Sequence, residues 1–536
     1  MCNSGGRDIT SLHMNRRAMI GSTVAAGALL MSVPALARSA ELDETRIDAI
    51  IAGFMAAFNM PGVAVAIIRP GAPDLAKGYG VRILGKPDTV DADTLFAIAS
   101  NSKAFTAAAL ALLVDEGKIG WEDPVIRYIP EFKMYDPVVT QMMTVRDLLV
   151  HRSGLSLGAG DLMVWPATTY TVEDILHGLH FLKPDKGFRA GYAYDNIVYI
   201  IASILLRRVT GQTWEAFISS RLLKPLGMGA TVPARSLVRT QNIAGRHARL
   251  GPPLRGLGPV RVIDAADAGD KIDAAGGINA SAHDILAWFH VQLAQGKLPG
   301  GGRLWSEQQA SEMWTPQTIT SSGPGQSPEQ PTRSVMTGYA LGWNISTYRG
   351  ERMISHAGGL DGQVTYQVLL PERGIAVAVY ANSEDNPSGI YKALLDYLLA
   401  TPGTDWLARS VAKQEKDGAD ALKQLSVAES LRPPSELSLP LKAYEGRYSD
   451  PWYGDIIVAM KRGKLHIDFT RTPSFKGNLE PWGRDSFRTR FPQSAGEDAV
   501  VTFTVQTGAV TKVTMKALSP LADFSYDFQD LTFLPR

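Results

Sequence analysis

Two pairs of apolar, strand-like segments lie far apart in the chain, one pair near its start and the other near residue 370. Within each pair a short stretch containing Pro and Gly joins the two segments. Apolar runs joined by such residues are typical of β-hairpins. We therefore predict two antiparallel hairpins, formed by residues 62–69 with 75–83 and by residues 364–370 with 375–380.

Between the hairpins, apolar residues recur every three or four positions, which is typical of helices packed against a core. Because the early and late hairpins can share one antiparallel sheet, the helical part would be inserted between the two ends of that sheet. The pattern predicts a single α/β domain over residues 38–407. Its main helices are expected at residues 103–116, 172–180, 197–209 and 282–295.

The pattern changes after residue 407. Residues 408–438 are charged and Ala-rich and contain Pro433-Pro434, which predicts a helical linker. Residues 439–536 carry short runs in which apolar and polar residues alternate, separated by turn-forming stretches. Many short strands with regular turns predict a small antiparallel β-barrel at the end of the chain.

The first residues have the layout of an export signal. Arg16 and Arg17 precede an uncharged stretch over residues 18–37 that ends in Pro34-Ala35-Leu36-Ala37. Signal peptidase reads this order of basic, apolar and small residues. We predict a signal peptide over residues 1–37 and a periplasmic or secreted protein without a membrane span in its mature chain. The Sec and twin-arginine routes both stay open.

Composition excludes several kinds of function. The 536 residues include 54 Lys and Arg against 53 Asp and Glu, a net charge of +1, so nucleic acid is not an expected partner. The only cysteine, Cys2, precedes the predicted cleavage site, so the mature chain has no thiol nucleophile or thiolate ligand. His177 and His180 lie one helical turn apart without a third ligand at suitable spacing. Neither a metal nor another cofactor is expected.

Ser100 is the favoured nucleophile candidate. Residues 93–99 alternate like a strand, and Ser100-Asn101-Ser102-Lys103 then opens an Ala/Leu-rich helical segment. A Lys three residues after a Ser lies on the same helix face. Apolar surroundings lower the pKa of a Lys amine, and the neutral amine can take the Ser proton. The backbone N–H of a Ser at a helix N-terminus also offers a donor to an oxyanion.

Two other serines stand in similar patterns. Ser410 and Lys413 repeat Ser-x-x-Lys, but in the charged linker nothing would desolvate the Lys. Ser156 lies in Gly154-Leu155-Ser156-Leu157-Gly158, which matches the nucleophile elbow of α/β-hydrolases. That elbow needs a strand before the Ser, whereas residues 144–149 have a helical pattern. These surroundings favour Ser100 without excluding the other two.

Further motifs resemble the serine hydrolases related to class C β-lactamases, low-molecular-weight penicillin-binding proteins and D-aminopeptidases. Ser100-Asn101-Ser102-Lys103 matches the Ser-x-x-Lys of that family, Tyr194-Asp195-Asn196 its Tyr-x-Asn, and His356-Ala357-Gly358 a His-x-Gly variant of its Lys-Thr-Gly. The resemblance implies a β-lactamase/transpeptidase-like antiparallel sheet flanked by helices. Tyr444-Glu445-Gly446-Arg447-Tyr448 and the strands that follow are similar to the lipocalin-like domain appended to some family peptidases.

The resemblance also implies catalytic roles. Ser100 would attack the substrate carbonyl and form an acyl-enzyme, while Lys103 and Tyr194 would share its proton, Tyr194 as a phenolate or a relay. Asn196 would hold the substrate amide and the head of Lys103. The N–H groups of Ser100 and Gly359 would form the oxyanion hole.

The third motif implies how the substrate is bound. Gly358 and Gly359 would let the substrate approach the strand edge closely. His356 stands where many family members have Lys. A neutral or titrating imidazole binds a substrate carboxylate less reliably than a fixed ammonium, which disfavours β-lactamase and carboxypeptidase activity and predicts a dependence of activity on pH.

The sequence thus predicts an exported, metal-free serine hydrolase that acts on small peptides or amides, including peptides with D-residues and linearised cyclic peptides. A carboxylesterase or β-lactamase of the same family is the alternative. A protein that binds peptidoglycan or peptides without turnover is the alternative from another class. The sequence does not indicate an oligomeric state.

Overall fold

The computed structural model describes residues 42–252, 254–264, 269–325, 327, 330–430, 432, 434–492 and 495–536. The predicted signal peptide lies outside the described residues. Among the helices of these ranges, none has the length and apolar character needed to cross a membrane.

An eight-stranded antiparallel sheet joins the early and late hairpins. The strands up to residue 381 are β1 (Gly62–Ile68), β2 (Leu75–Gly80), β3 (Phe96–Ala97), β4 (His247–Arg249), β5 (Val260–Val262), β6 (Asn279–Ala280), β7 (Thr318–Ser322), β8 (Met336–Tyr339), β9 (Asn344–Tyr348), β10 (Glu351–Leu360), β11 (Gln363–Leu370) and β12 (Ile375–Ala381). The order in the sheet is β2-β1-β12-β11-β10-β9-β8-β7. Val63 of β1 lies opposite Ala381 of β12, so the second and the last strand of the sheet, counted from its β2 edge and along the chain respectively, are direct neighbours.

Helices cover both faces of this sheet. They are α1 (Glu44–Phe58), α2 (Ser102–Asp115), α3 (Pro137–Met142), α4 (Val172–Gly178), α5 (Ile197–Thr210), α6 (Trp214–Ile218), α7 (Lys224–Leu226), α8 (Asp273–Gly276), α9 (Ala282–Leu293), α10 (Glu307–Met313), α11 (Ser388–Leu398) and α12 (Trp406–Ser430). Val63 and Val65 share one core with α1 and α11, whereas Ala64 and Ala66 share the other with α2 and α9. Because both faces are covered, all seven positions of β1 are buried.

The C-terminal strands close into an eight-stranded antiparallel barrel. They are β13 (Gly446–Asp450), β14 (Gly454–Lys461), β15 (Lys464–Phe469), β16 (Lys476–Gly483), β17 (Ser486–Arg490), β18 (Ala499–Gln506), β19 (Ala509–Ala517) and β20 (Thr532–Pro535). Pairing of β13 with β20 removes both sheet edges. Alternate residues point inward, as in β15, where Leu465, Ile467 and Phe469 are buried.

This architecture confirms the predicted α/β fold with an inserted helical region and a C-terminal barrel. Two local predictions were wrong. Of residues 93–99 only β3 is a strand, because side-chain bonds replace ladder bonds before it: Asp91 N–H donates to Thr94 Oγ1 (2.9 Å) and Asp93 N–H to Asp91 Oδ1 (3.0 Å). The helical pattern of residues 144–149 gives only a 3₁₀ turn, Arg146–Leu149.

The barrel packs against the loop that follows this turn. Ser156 Oγ donates to Asp530 Oδ2 (2.7 Å), and Arg471 forms an ion pair with Asp174 (2.6 Å). Tyr170 donates its hydroxyl proton to the backbone oxygen of Tyr453. These contacts hold the barrel against the helical region.

Candidate active site

Ser100 lies in a 3₁₀ turn, Ala99–Asn101, directly before α2. Ala99 has a φ of +48°, a left-handed conformation that costs free energy at any residue but glycine. The sheet holds this turn, because Asn101 Nδ2 donates to Thr365 Oγ1 of β11 (2.9 Å) and to Ile98 O (3.1 Å). The position of Ser100 is therefore fixed by contacts on both sides of it.

Lys103 places its amine beside Ser100. Nζ lies 3.1 Å from Ser100 Oγ, 2.8 Å from Asn196 Oδ1 and 2.9 Å from Ala275 O. Burial lowers the pKa of Lys103 to about 7, against the opposing effect of the Asp161 and Asp195 carboxyls. A neutral amine has two protons, which Asn196 and Ala275 can accept, and one lone pair, which is then free to accept the Ser100 proton.

Tyr194 is held beside the same amine. Lys103 Nζ lies 4.8 Å from the centre of the Tyr194 ring. On the other side His151 packs its ring at 4.2 Å, accepts the Asp195 N–H at Nδ1 (3.1 Å) and accepts the Ala193 N–H at its backbone oxygen (3.0 Å). The segment that carries Tyr194 is thus fixed by a buried histidine.

The protonation state of Tyr194 differs from the expectation. Burial raises the pKa of the Tyr194 hydroxyl well above its usual value, and the nearby Ser100 hydroxyl opposes this only partly. Within the described residues the Tyr194 hydroxyl makes no hydrogen bond of ordinary length and angle. Tyr194 is therefore a neutral phenol at neutral pH, so the predicted phenolate is not supported, and the relay role stays a prediction.

Asn196 connects Lys103 to a carboxyl that the sequence analysis missed. Asn196 Oδ1 faces Lys103, and Asn196 Nδ2 donates to Asp161 Oδ2 (2.8 Å). Burial raises the pKa of Asp161 to about 7. Asp161 follows Gly158-Ala159-Gly160, and an acidic residue after a glycine-rich stretch was the one local signal that could have pointed to it.

His356 is buried in β10 and neutral. Its Nε2 lies 2.8 Å from the Tyr339 hydroxyl, and its Nδ1 lies 2.5 Å from Ala357 O. A carbonyl can only accept, so Nδ1 carries the proton and Nε2 accepts from Tyr339. Burial lowers the pKa of His356 to about 3, with Lys103 adding to the effect. Of the two states that the sequence left open, a neutral and a titrating imidazole, the surroundings favour the neutral one, because this histidine is desolvated.

The two glycines of the third motif have different surroundings. A Cβ at Gly358 would lie 2.2 Å from Ile98 O, so the absence of a side chain lets β10 approach the turn that carries Ser100. A Cβ at Gly359 would meet no atom within 4 Å among the described residues. Gly358 thus serves packing against the Ser100 turn, in addition to any contact with substrate.

These residues line one cleft of about 930 Å³. Ser100, Tyr194, Asn196, His356, Gly358 and Gly359, six of the seven predicted site residues, all line it, and the seventh, Lys103, lies directly behind Ser100. The barrel contributes residues 521–526 to the wall, including Phe524, whose ring centre lies 5.8 Å from that of Tyr194. In the described ranges, no group of three His, Cys, Asp or Glu side chains could hold a metal ion.

The two rival serines lie in other surroundings. Ser156 is in an irregular loop and donates to the barrel residue Asp530. Ser410 is half-buried in α12 at the rim of the cleft, and Lys413 is exposed over 73% of its side chain. Unlike Lys103, the lysine of this second Ser-x-x-Lys is therefore not desolvated.

Comparisons with known proteins match two parts of the chain to two families. Residues 47–401 match the family described as Beta-lactamase, and residues 432–535 match a domain of unknown function, DUF3471. Unguisins hydrolase ungD of Aspergillus violaceofuscus is 29% identical over 454 residues, covering 77% of this chain and 76% of the relative.

Solved structures show the same fold. An octameric penicillin-binding protein homologue from Pyrococcus abyssi is 21% identical with a TM-score of 0.56, over 92% of this chain and all of that one. A D-stereospecific amidohydrolase from Streptomyces is 22% identical with a TM-score of 0.51, over 65% of this chain and 97% of that one. Since the family match covers more than half of the residues, the sequence resemblance is confirmed: the chain belongs to the β-lactamase family of serine hydrolases.

Proposed function

We propose that this chain is an exported hydrolase of small peptides and other amides that works through an acyl-enzyme on Ser100. The observation that carries the proposal is the 3.1 Å contact between Ser100 Oγ and the fully buried Lys103 amine. A buried amine with a pKa of about 7 is neutral in a large fraction of molecules at neutral pH. It can then act as a general base without help from another group.

Acylation begins when Lys103 takes the Ser100 proton and Oγ attacks the carbonyl carbon. The carbonyl oxygen becomes an oxyanion, which the N–H groups of Ser100 and Gly359 would stabilise. As the tetrahedral centre collapses, the bond to the leaving group breaks. The leaving nitrogen takes the proton from the Lys103 ammonium, either directly or by way of the Tyr194 hydroxyl, which gives one proton and receives another.

Deacylation repeats these steps with water as the nucleophile. Water gives a proton to the neutral Lys103 amine and attacks the ester carbonyl, and the oxyanion forms in the same place. Collapse breaks the bond to Ser100 Oγ, which recovers its proton from Lys103. The product acid leaves, and the enzyme returns to its starting state.

Three features support small amides as substrates. The barrel segment 521–526 bounds the cleft, which limits the size of the acyl group that can reach Ser100. His356 is uncharged, so the cleft lacks at this position a fixed cation for the carboxylate of a β-lactam. The names of two similar proteins, an unguisins hydrolase and a D-stereospecific amidohydrolase, both denote hydrolases.

The proposal of export rests on the sequence alone. Residues 1–37 have the order of basic, apolar and small residues that signal peptidase reads. Expression of the full chain with a C-terminal tag, followed by N-terminal sequencing of the periplasmic and secreted fractions, tests it. A mature N-terminus at Arg38 in either fraction supports export, and an uncut chain in the cytoplasm contradicts it.

Parallel kinetics on three substrate classes test the activity. An acyl p-nitrophenyl ester, D- and L-aminoacyl anilides and a cephalosporin are assayed with the wild type and with Ser100→Ala. We expect turnover of an anilide that depends on Ser100. Fast ester turnover without anilide or peptide turnover would favour a carboxylesterase instead.

Covalent labelling separates an enzyme from a binding protein. A fluorophosphonate is incubated with the wild type, Ser100→Ala and Ser410→Ala, and the modified peptide is identified by mass spectrometry. We expect the label on Ser100 in the wild type and in Ser410→Ala. An unlabelled wild type would favour a protein that binds peptides without turnover.

A further inference from the structure

The barrel forms hydrogen bonds with the residues around Asp161. Asp527, a fully buried barrel residue, accepts the N–H of Gly160 at Oδ2 (2.7 Å) and the N–H of Leu162 at Oδ1 (3.0 Å). Ser525 Oγ donates to Asp161 Oδ2 (2.8 Å). The backbone on both sides of Asp161 and the carboxyl itself are therefore held by one short segment of the barrel.

Asp161 in turn decides how the Asn196 amide is turned. Asp161 Oδ2 accepts from Asn196 Nδ2 (2.8 Å), which leaves Asn196 Oδ1 facing Lys103 Nζ (2.8 Å). With the amide reversed, N–H groups would face the Lys103 amine, and an oxygen would face a carboxyl oxygen. Three hydrogen bonds in series thus connect the barrel to the amine beside Ser100.

One oxygen of the buried Asp161 carboxyl does not form a hydrogen bond with any described residue. Asp161 is only 2% exposed, and its Oδ1 has no hydrogen-bond partner in the part of the chain that the structure describes. Asp161 interacts electrostatically with four ionisable groups, namely Lys103, Asp195, Asp523 and Asp527. Keeping such a group buried beside Asn196 costs free energy, which is typical of a functional position.

We propose that Asp161 and Ser525 are positioning residues for Lys103, and that through them the barrel orients the general base of the helical domain. The inference rests on the proposed function of Lys103. It assigns the barrel a part in the reaction itself, in addition to bounding the cleft. Neither residue touches the reacting atoms, so both act through Asn196.

The test compares single variants of the full-length chain in the hydrolysis of an acyl p-nitrophenyl ester. Asp161→Ala and Ser525→Ala break the series of hydrogen bonds at different points. Ser156→Ala is the matched control, because it removes another hydrogen bond across the same interface, to Asp530 (2.7 Å), without touching Asp161. For each variant kcat, KM, the pH profile and the melting temperature are measured.

We expect kcat to fall about 100-fold in Asp161→Ala and about 5- to 10-fold in Ser525→Ala, with KM within about twofold of the wild type. Ser156→Ala is expected to keep kcat within about twofold. Asp161→Asn retains an oxygen that can accept from Asn196 and Ser525, so it should recover most of the kcat lost in Asp161→Ala. Asp161→Asn lacks the negative charge that raises the pKa of Lys103. Its acid limb, the fall of activity at low pH as Lys103 becomes protonated, should therefore move to lower pH.

A purely structural role gives a different result. It would lower the melting temperature while leaving the kcat of the folded protein and the acid limb unchanged. If Asp161→Ala does not fold, Ser525→Ala decides by itself. Should Ser525→Ala and any folded Asp161 variant match Ser156→Ala in kcat and in pH profile, the inference is wrong while the proposed function stands. A wild type that neither turns over the ester nor takes the fluorophosphonate on Ser100 overturns both.

Discussion

The chain contains the Ser-x-x-Lys pattern twice at the edge of the same cleft, and only one copy has the surroundings of a nucleophile. Lys103, a residue of α2, is fully buried, and its amine contacts Ser100, Asn196 and Ala275. Lys413 is 73% exposed and forms an i,i+4 ion pair with Asp417 (2.5 Å). The difference between the two copies is desolvation, because the Lys103 amine is shielded from water whereas Lys413 is largely exposed to it.

Substitution of the two serines is the most direct test of the difference between the two Ser-x-x-Lys copies. Ser100→Ala is expected to lower kcat/KM by at least about 10⁴-fold, since it removes the hydroxyl that would form the acyl-enzyme. Ser410→Ala should stay within about twofold of the wild type. Both variants are assayed on the ester and the anilide, with the unfolding transition of each as a control for folding. An active Ser100→Ala would refute the proposed mechanism.

The lysines should differ in the same direction. Lys103→Met, which removes the amine but keeps a flexible apolar side chain of similar length, is expected to lower kcat about 10²- to 10⁴-fold. Lys413→Met should change kcat by less than about twofold. The rate of fluorophosphonate labelling measures the effect on Ser100 alone. Equal losses in the two variants would show that burial does not distinguish the two copies.

The pH profile sharpens the contrast further. Lys103 acts in its neutral form, and its folded pKa is about 7, so kcat/KM should fall by about tenfold per pH unit below that value and level off above it. His356, with a pKa of about 3, adds no limb between pH 5 and 9. Lys413→Met should leave the profile where it is. A midpoint that moves in Lys413→Met would contradict the assignment of the limb to Lys103.

The smallest expected effect is on stability and concerns His356, which lies near Ser100 and Lys103. Tyr339→Phe leaves Nε2 of His356 without its donor in a buried place, so we expect a loss of about 1–3 kcal/mol in the free energy of unfolding. Tyr397→Phe removes a hydroxyl that accepts the exposed Asp43 N–H (2.7 Å), and should cost less than about 0.5 kcal/mol. Urea unfolding measures both. Equal losses would mean that the Tyr339 hydroxyl does not stabilise His356.

Much of the fold could be predicted because local patterns determine it. Both hairpins, helices such as α2, α5 and α9, and the barrel strands follow from the period of apolar residues and from turn residues. Three motifs were sufficient to predict the residues around Ser100, because each family motif is a short local stretch of sequence. The same reasoning failed at residues 93–99, where Asp and Thr side chains bond to the backbone.

The ionisation states and the contacts across domains could not be predicted. The pKa of Tyr194 and of His356 depends on burial by segments that are distant in the sequence, such as the one that carries His151. The bond between Ser525 and Asp161 joins positions 364 residues apart, and nothing in either local sequence indicates the other. Such contacts come from the packing of the barrel, which no periodicity describes.

The pairing of β1 with β12 has a consequence for how the molecule is made. Gly62 N–H donates to Asn382 Oδ1, 320 residues further along the chain, and the central sheet has no partner for β1 on that side until β12 has been synthesised. Contacts of such long range slow folding, because the closure of a large loop precedes the gain from pairing. A ribosome that stops before β12 therefore releases a chain in which the apolar strand β1 has an open edge, ready to pair with other chains.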